Sequence, residues 1–458
     1  MFRLFVSFLL ALAAAWAEPV DWIWTARYVV TMDAARHVIE NGAVAIRGGR
    51  IVAAGPRALI EKRYQARQRL DRPEAIIAPG LINTHAHAPM SLFRGIADDL
   101  RLQDWLEKYI FPAEARNVTP DFVRWGTRLA VLEMMLSGTT TYTDMYYFED
   151  VVAEATKEAG MRGVLGETII NFPVPDAKTP AEALAFTAHF IQKFQKDELI
   201  VPAVAPHALD TNTEQTLRAS RALANRFGVP LLTHLAETSA LRDASITKYK
   251  ESPVQALDGW GIFQGRTVAA HCVWLDESDM KTLAARGVGV AHCPSSNTKL
   301  ASGVAPVAAM LAHGIAVGLG TDGPAGGNSD FDLMEEMGLA AKLQKVTAAD
   351  PRVLPAEKAL EMATIMGAKV LGMEKEIGSI ESGKRADLIT IRLDQPNAVP
   401  LYNLYSEIVY ALKGCDVRDT MVNGRLTVRD RRPLTLDERL VLAKAAEYGI
   451  RVRKSLGN

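Results

Sequence analysis

Pro79-Gly80-Leu81-Ile82-Asn83-Thr84-His85-Ala86-His87 is the stretch on which the fold turns. Its core, Ile77–Thr84, reads as a buried strand, and two histidines follow at spacing i and i+2. On an extended segment those side chains point to the same side. Seven more strand candidates follow along the chain: Thr139–Asp144, Gly163–Glu167, Val201–Pro206, Pro230–His234, Thr267–His271, Gly287–His292 and Ile315–Thr321. Helical stretches separate them. Thr119-Pro120 is a helix start, with a Thr cap and Pro at the first position, and Gly138 marks that helix's end. Eight βα units predict an α/β fold, a (β/α)₈ TIM-type barrel spanning residues 76–373. The alternative is an open doubly wound sheet.

Outward from the barrel, both ends are β-rich. Ala43–Arg47 and Arg50–Ala54 flank Gly48-Gly49, a two-residue hairpin signal. Near the other end, Ala386–Ile391 reads as a strand, and Asn423-Gly424 forms a turn between apolar runs. Residues 18–75 and 374–458 are therefore expected to build a small second domain, with a C-terminal helix.

The chain has 458 residues, 48% of them hydrophobic, which suits one large domain plus a smaller one. A net charge of −1 offers no electrostatic basis for binding nucleic acid or a membrane surface. Three cysteines, with no C-x-x-C pair, make neither a disulfide framework nor a thiolate zinc site. Arg3, the apolar run Leu4–Ala15 and Ala15-Trp16-Ala17 have the order of a secretory signal peptide over residues 1–17. The run is too short for stable membrane insertion. A periplasmic or secreted protein is the expectation, or a cytoplasmic one if the leader is not functional.

Five residues carry the chemistry. His85 and His87 close the first barrel strand, His234 the fifth, His271 the sixth, and Asp322 the eighth. In a TIM barrel such positions converge at the C-terminal face, where active sites sit. Three imidazoles and a carboxylate with one open position suit a catalytic Zn²⁺, with Fe²⁺ as the alternative. A single strand-end histidine is more often a packing residue, and His189, His292 and His313 are read that way or as surface groups. Five in this order are not readily produced by packing alone.

The opening motif resembles the signature of the amidohydrolase superfamily. Thr233-His234-Leu235-Ala236-Glu237, Ala270-His271-Cys272 and Gly320-Thr321-Asp322-Gly323 match its later signatures in order. Ala88-Pro89-Met90, Asp104-Trp105-Leu106 and Ser296-Asn297-Thr298-Lys299-Leu300 resemble the 5′-methylthioadenosine/S-adenosylhomocysteine deaminases and their chlorohydrolase relatives. The resemblance implies a barrel plus a β-sandwich made from both chain ends. Two-metal relatives often carry a lysine at the end of the fourth strand, where this chain has Val204-Ala205-Pro206-His207. One divalent ion is therefore implied, on His85, His87, His234 and Asp322, with His271 orienting water. A homo-oligomer is also compatible with the resemblance.

The implied reaction is hydrolytic deamination of an adenosine-type nucleoside such as 5′-methylthioadenosine or S-adenosylhomocysteine. Asp322 would accept the water's proton, and Glu237, three residues after His234, would protonate the ring nitrogen. By resemblance, Glu114 would bind the sugar hydroxyls and His207 the purine-ribose portion. The plain alternatives are an exposed loop carboxylate for Glu114, a helix-start carboxylate for Glu237 and a core aromatic for Trp105. The rival substrates are other aromatic N-heterocycles such as guanine, a pterin or a triazine. The rival class is a non-catalytic binding relative, which the intact ligand set disfavours. For the substrate's tail, Glu167 after the third strand is expected to repel a carboxylate, with Lys178 compensating only in part. That reading expects 5′-methylthioadenosine to outperform S-adenosylhomocysteine by about tenfold.

Overall fold

Eight parallel strands close into a barrel in chain order in the computed structural model, which describes residues 17–457. The leader reading lies almost wholly outside those residues. The N-terminal strands β1 (Glu18–Val30), β2 (Val38–Arg47), β3 (Arg50–Pro56) and β4 (Tyr64–Pro79) come first. The barrel follows as β5 (Leu81–Ala86), β6 (Thr139–Tyr146), β7 (Arg162–Ile169), β8 (Ile200–Pro206), β9 (Leu231–Leu235), β10 (Thr267–His271), β11 (Gly289–His292) and β12 (Val317–Leu319). All eight expected barrel strands are present, and helices connect them. After the barrel come β13 (Leu388–Arg392), β14 (Val417–Val422), β15 (Arg425–Arg429) and β16 (Arg432–Pro433). These join β1–β4 in one eight-stranded mixed sheet, ordered β16-β15-β14-β13-β4-β1-β2-β3. The second domain is thus built from both chain ends, as the turn signals indicated.

Both hairpin signals are confirmed. Gly48 and Gly49 take φ of 58° and 73° between paired Arg47 and Arg50. Asn423 and Gly424, at 51° and 76°, join Val422 to Arg425. Positive φ at both central residues gives a twist that matches the flanking strands. The Thr119 hydroxyl accepts from Phe122 N at 3.2 Å, capping the helix Pro120–Leu136, a contact worth about 1 kcal/mol.

The largest boundary difference is at the start of the first barrel strand. Ile77 and Ala78 belong to β4 of the sheet, pairing with Thr390 and Ile389, and the barrel strand begins at Leu81. Gly80 makes the break. A Cβ there would lie 2.2 Å from the Thr140 side chain, so the chain can pass from sheet to barrel at this point only without one. The apolar run is continuous in sequence but serves two sheets.

Candidate active site

At the C-terminal end of the barrel, His85 and His87 project from the end of β5, His234 from β9 and His271 from the end of β10. Asp322 lies three residues beyond β12, where it forms a parallel bridge with Ala86. Two devices hold Asp322 against β5. Asn83 donates to Thr321 Oγ1 at 2.8 Å and accepts from Thr321 N at 3.2 Å. Gly320 lets the strands approach, since a Cβ there would come within 2.8 Å of His85 Cβ. His271 and Asp322 adopt φ of 71° and 62°, left-handed backbone rare outside glycine. Such strain, of order 1–3 kcal/mol each, persists where surrounding structure enforces it, commonly at functional sites.

The ring nitrogens are sorted by their partners. His87 Nδ1 meets the Met145 carbonyl at 2.7 Å, and His234 Nδ1 meets the His207 carbonyl at 2.9 Å. His271 Nδ1 meets Asn297 Oδ1 at 3.0 Å. A neutral imidazole has one N–H, and here each is spent on an oxygen. The Nε2 lone pairs therefore face inward. His87 and His234 Nε2 atoms lie 3.3 Å apart, and Asp322 Oδ1 sits 3.2 Å from His87 Nε2 and 3.4 Å from His85 Nε2. His85 Nε2 is buried with no hydrogen-bond partner. Burial lowers His85 to about 4 and His207 to about 3, and takes His234 well below its ordinary value, so all three are neutral. His87 differs: burial lowers it, but Asp322 outweighs this and raises it to about 9. The carboxylate thus favours positive charge against His87 Nε2, a proton or a bound cation in its place. Two overlapping donor groups result, His85-His87-Asp322 and His85-His234-His271, each with ligand atoms within 4.8 Å. Converging lone pairs, an orphaned Nε2 and one carboxylate fit a divalent cation.

Two residues given no role from sequence complete this arrangement. Ser296 Oγ donates to Asp322 Oδ2 at 2.5 Å, and Asn297 fixes the tautomer of His271. Both lie on the short helix Pro294–Lys299 directly after β11. Their only signal was the Ser296–Leu300 motif.

One pocket is lined by His87, His234, His271 and Asp322 of the cluster and also by His207, Glu237, Glu114 and Trp105. Glu237 is buried, with Oε2 3.8 Å from His271 Nε2. Burial raises its carboxyl above the ordinary value, against the opposing influence of His271. Glu114 is not an exposed loop group. It sits buried on the helix Phe111–Asn117, pushed up by burial to about 7, with Tyr147 Oη 3.5 Å from its carboxylate. Trp105 lines the pocket and donates Nε1–H to Ala325 O at 2.9 Å. His207 Nδ1 pairs with Thr211 Oγ1 at 3.0 Å. His292 is buried off the cluster, His313 pairs with Glu277 at 3.2 Å, and His189 is exposed.

The reading of Glu167 is corrected. Its carboxylate is fully buried and accepts from Glu149 N at 3.0 Å, while the pocket is lined by the next residue, Thr168. Strand alternation turns Glu167 away from any substrate. Lys178 is exposed and lies off the pocket wall. The expected tenfold preference against S-adenosylhomocysteine loses its basis.

The amidohydrolase-family profile matches residues 76–427, most of the chain. The chain belongs to the amidohydrolase family. It is 45% identical to the 5-methylthioadenosine/S-adenosylhomocysteine deaminase of Thermodesulfovibrio yellowstonii, over 94% of this chain and 98% of that protein. It superposes on an adenosine deaminase from Xanthomonas campestris with bound zinc at a TM-score of 0.94, with 38% identity and coverage of 96% and 100%. A zinc-complexed atrazine chlorohydrolase from Arthrobacter aurescens gives a TM-score of 0.86 at 25% identity, covering 93% of this amidohydrolase and 100% of that chain.

Proposed function

We propose that the chain is a metal-dependent hydrolytic deaminase that releases ammonia from an adenosine-type nucleoside such as 5′-methylthioadenosine or S-adenosylhomocysteine. The observation that carries this reading is Glu237, a buried carboxyl set beside His271 and the inward-facing lone pairs within one pocket. His85, His87, His234 and Asp322 would hold one divalent ion, zinc by the character of the donors. When bound, it supplies the Lewis acidity that brings a water's pKa from about 15.7 toward about 7. His271, its tautomer set by Asn297, presents Nε2 to orient that water. Asp322 accepts the water's proton on a carboxylate whose Oδ2 is held by Ser296. Glu237 delivers a proton to the ring nitrogen adjoining the attacked carbon. Asp322 passes the water's proton to the amine, which leaves as ammonia when the carbon–nitrogen bond breaks. The new hydroxyl returns a proton to Glu237 as it becomes a carbonyl. Glu114 accepts the vicinal ribose hydroxyls, and His207 hydrogen-bonds the purine-ribose portion.

The likeness to a triazine-acting relative supports a second reading, another N-heterocycle as substrate. Glu114 favours the nucleoside, because a triazine offers no vicinal hydroxyls to a buried carboxylate. Ammonia release measured over adenosine, 5′-methylthioadenosine, S-adenosylhomocysteine, guanine and a triazine decides between them. Turnover of the nucleosides is expected, and turnover of the triazine alone overturns the proposal.

Glu114 also gives the enzyme a pH signature. With its carboxyl near 7, it is a carboxylate above that pH and a neutral acid below. The charged form binds hydroxyls more strongly. KM for a nucleoside is expected to rise about tenfold as pH falls from 8 to 6, with kcat little changed by this group. Glu114→Gln should flatten that KM profile. An identical acid limb in the variant would remove Glu114 from this role.

We also propose export, on the strength of Arg3, Leu4–Ala15 and Ala15-Trp16-Ala17. N-terminal sequencing of native protein should find a mature start at or near Glu18, outside the cytoplasm. A cytosolic chain starting at Met1 would rule it out. Among the described residues, no helix is long and apolar enough to cross a membrane.

A further inference from the structure

We propose that Lys248 and Asp210 form an open charge pair at the pocket's outer end that reads a zwitterionic amino-acid tail, Lys248 taking the carboxylate and Asp210 the ammonium. The proposal rests on the nucleoside reading above and names the residues that would distinguish S-adenosylhomocysteine from tailless nucleosides.

The helix Ser239–Tyr249 starts two residues after Glu237, with Thr238 Oγ1 accepting from Leu241 N at 3.2 Å as its cap. Leu241, Ala244, Ser245 and Lys248 all line the pocket. Their spacing of i, i+3, i+4 and i+7 is a single helix face. At a rise of about 1.5 Å per residue, Lys248 stands about 10 Å beyond Leu241 along the axis. The helix therefore runs outward from the residue beside the reaction centre, and its last turn places an ammonium on the wall. A homocysteine tail leaves the reacting ring across a ribose and a thioether, so its charges fall toward that outer end.

Lys248 is the one lysine or arginine on the pocket wall among the described residues. It is exposed, its Nζ lies 4.8 Å from the Tyr249 ring centroid, and no carboxylate stands within ion-pair distance. Asp210, three residues after His207, lies on the same wall and is also exposed. Desolvation at the wall raises the Asp210 carboxyl, and the charge of Lys248 pulls the other way. The two charges line the same pocket and form no ion pair with one another. A closed ion pair would leave nothing for a ligand. An open pair matches a group that carries both signs on one carbon.

The test compares kcat/KM for S-adenosylhomocysteine and 5′-methylthioadenosine in wild type, Lys248→Met and Asp210→Asn. In each variant the ratio of the two values is expected to fall about fivefold, the change lying in KM for the tailed substrate. Raising salt from about 0.05 M to about 0.5 M should lower the wild-type ratio and lower the Lys248→Met ratio less. An unchanged ratio in both variants overturns the proposal, as does an equal fall for both substrates. If wild type releases ammonia from neither compound, the nucleoside reading fails, and the tail proposal with it.

Discussion

His85→Ala is expected to lose both metal and turnover. Protein purified from metal-replete medium should carry about one zinc or iron per chain in wild type and under about a tenth of that in the variant. Activity should fall by at least about 10³-fold, because Lewis-acid assistance is worth several kcal/mol and each 1.36 kcal/mol is a factor of ten. The reasoning is in the ring nitrogens. The Nδ1 atoms of His87, His234 and His271 are committed to Met145 O, His207 O and Asn297 Oδ1. Their Nε2 atoms face inward, those of His87 and His234 toward one another and that of His87 toward the Asp322 carboxylate. His85 belongs to both donor groups, so its removal dismantles each. His313→Ala is the control: it breaks only an exposed pair with Glu277 and should leave metal and rate unchanged. A chelator should abolish wild-type activity, and readdition of zinc should restore it. Full activity in metal-free protein would end the metal-dependent mechanism.

That donor set was legible in the sequence because barrel topology does the assembling. A histidine or aspartate at the C-terminal end of a strand needs no three-dimensional information to be placed at the mouth, once the eight strands are recognised. The strands were recognisable as short apolar runs ended by turn residues. Where the signal failed, a register or a break was at issue. Ile77 and Ala78 look continuous with Leu81–Thr84, and only the contact between Gly80 and Thr140 shows that the sheet ends and the barrel begins there. Glu167 and Thr168 differ by one residue, and pleat alternation sends the first into a buried site under Glu149 N and the second into the pocket. Ser296 and Asn297 act through other residues, so their chemistry is invisible until Asp322 and His271 are seen against them. Lys248 follows the same logic, since a helix face becomes a pocket wall only through packing.

Glu237→Gln separates proton delivery from everything the cluster does by itself. Gln fills nearly the same space beside His271, and Glu237 forms no ion pair closer than 3.8 Å. Metal content should therefore stay near normal. Folding should not suffer either, because a buried carboxyl already raised by desolvation gives up little when it becomes an amide. What the amide cannot do is give a proton to a ring nitrogen and regain it. General acid–base help is worth about 10²–10⁴-fold, so kcat should drop at least about 10²-fold with KM changed far less. The split matters. A carboxylate that merely bound substrate would show its loss mainly in KM, and a helix-start carboxylate would show it in thermal stability. A kcat equal to wild type, with metal retained, would mean that another group protonates the ring. Glu114 is another buried carboxyl on this pocket wall, but it sits beside Tyr147, on the helix Phe111–Asn117 rather than beside His271. A Glu114→Gln variant should accordingly retain most of kcat where Glu237→Gln does not, and the reverse result would exchange the two assignments.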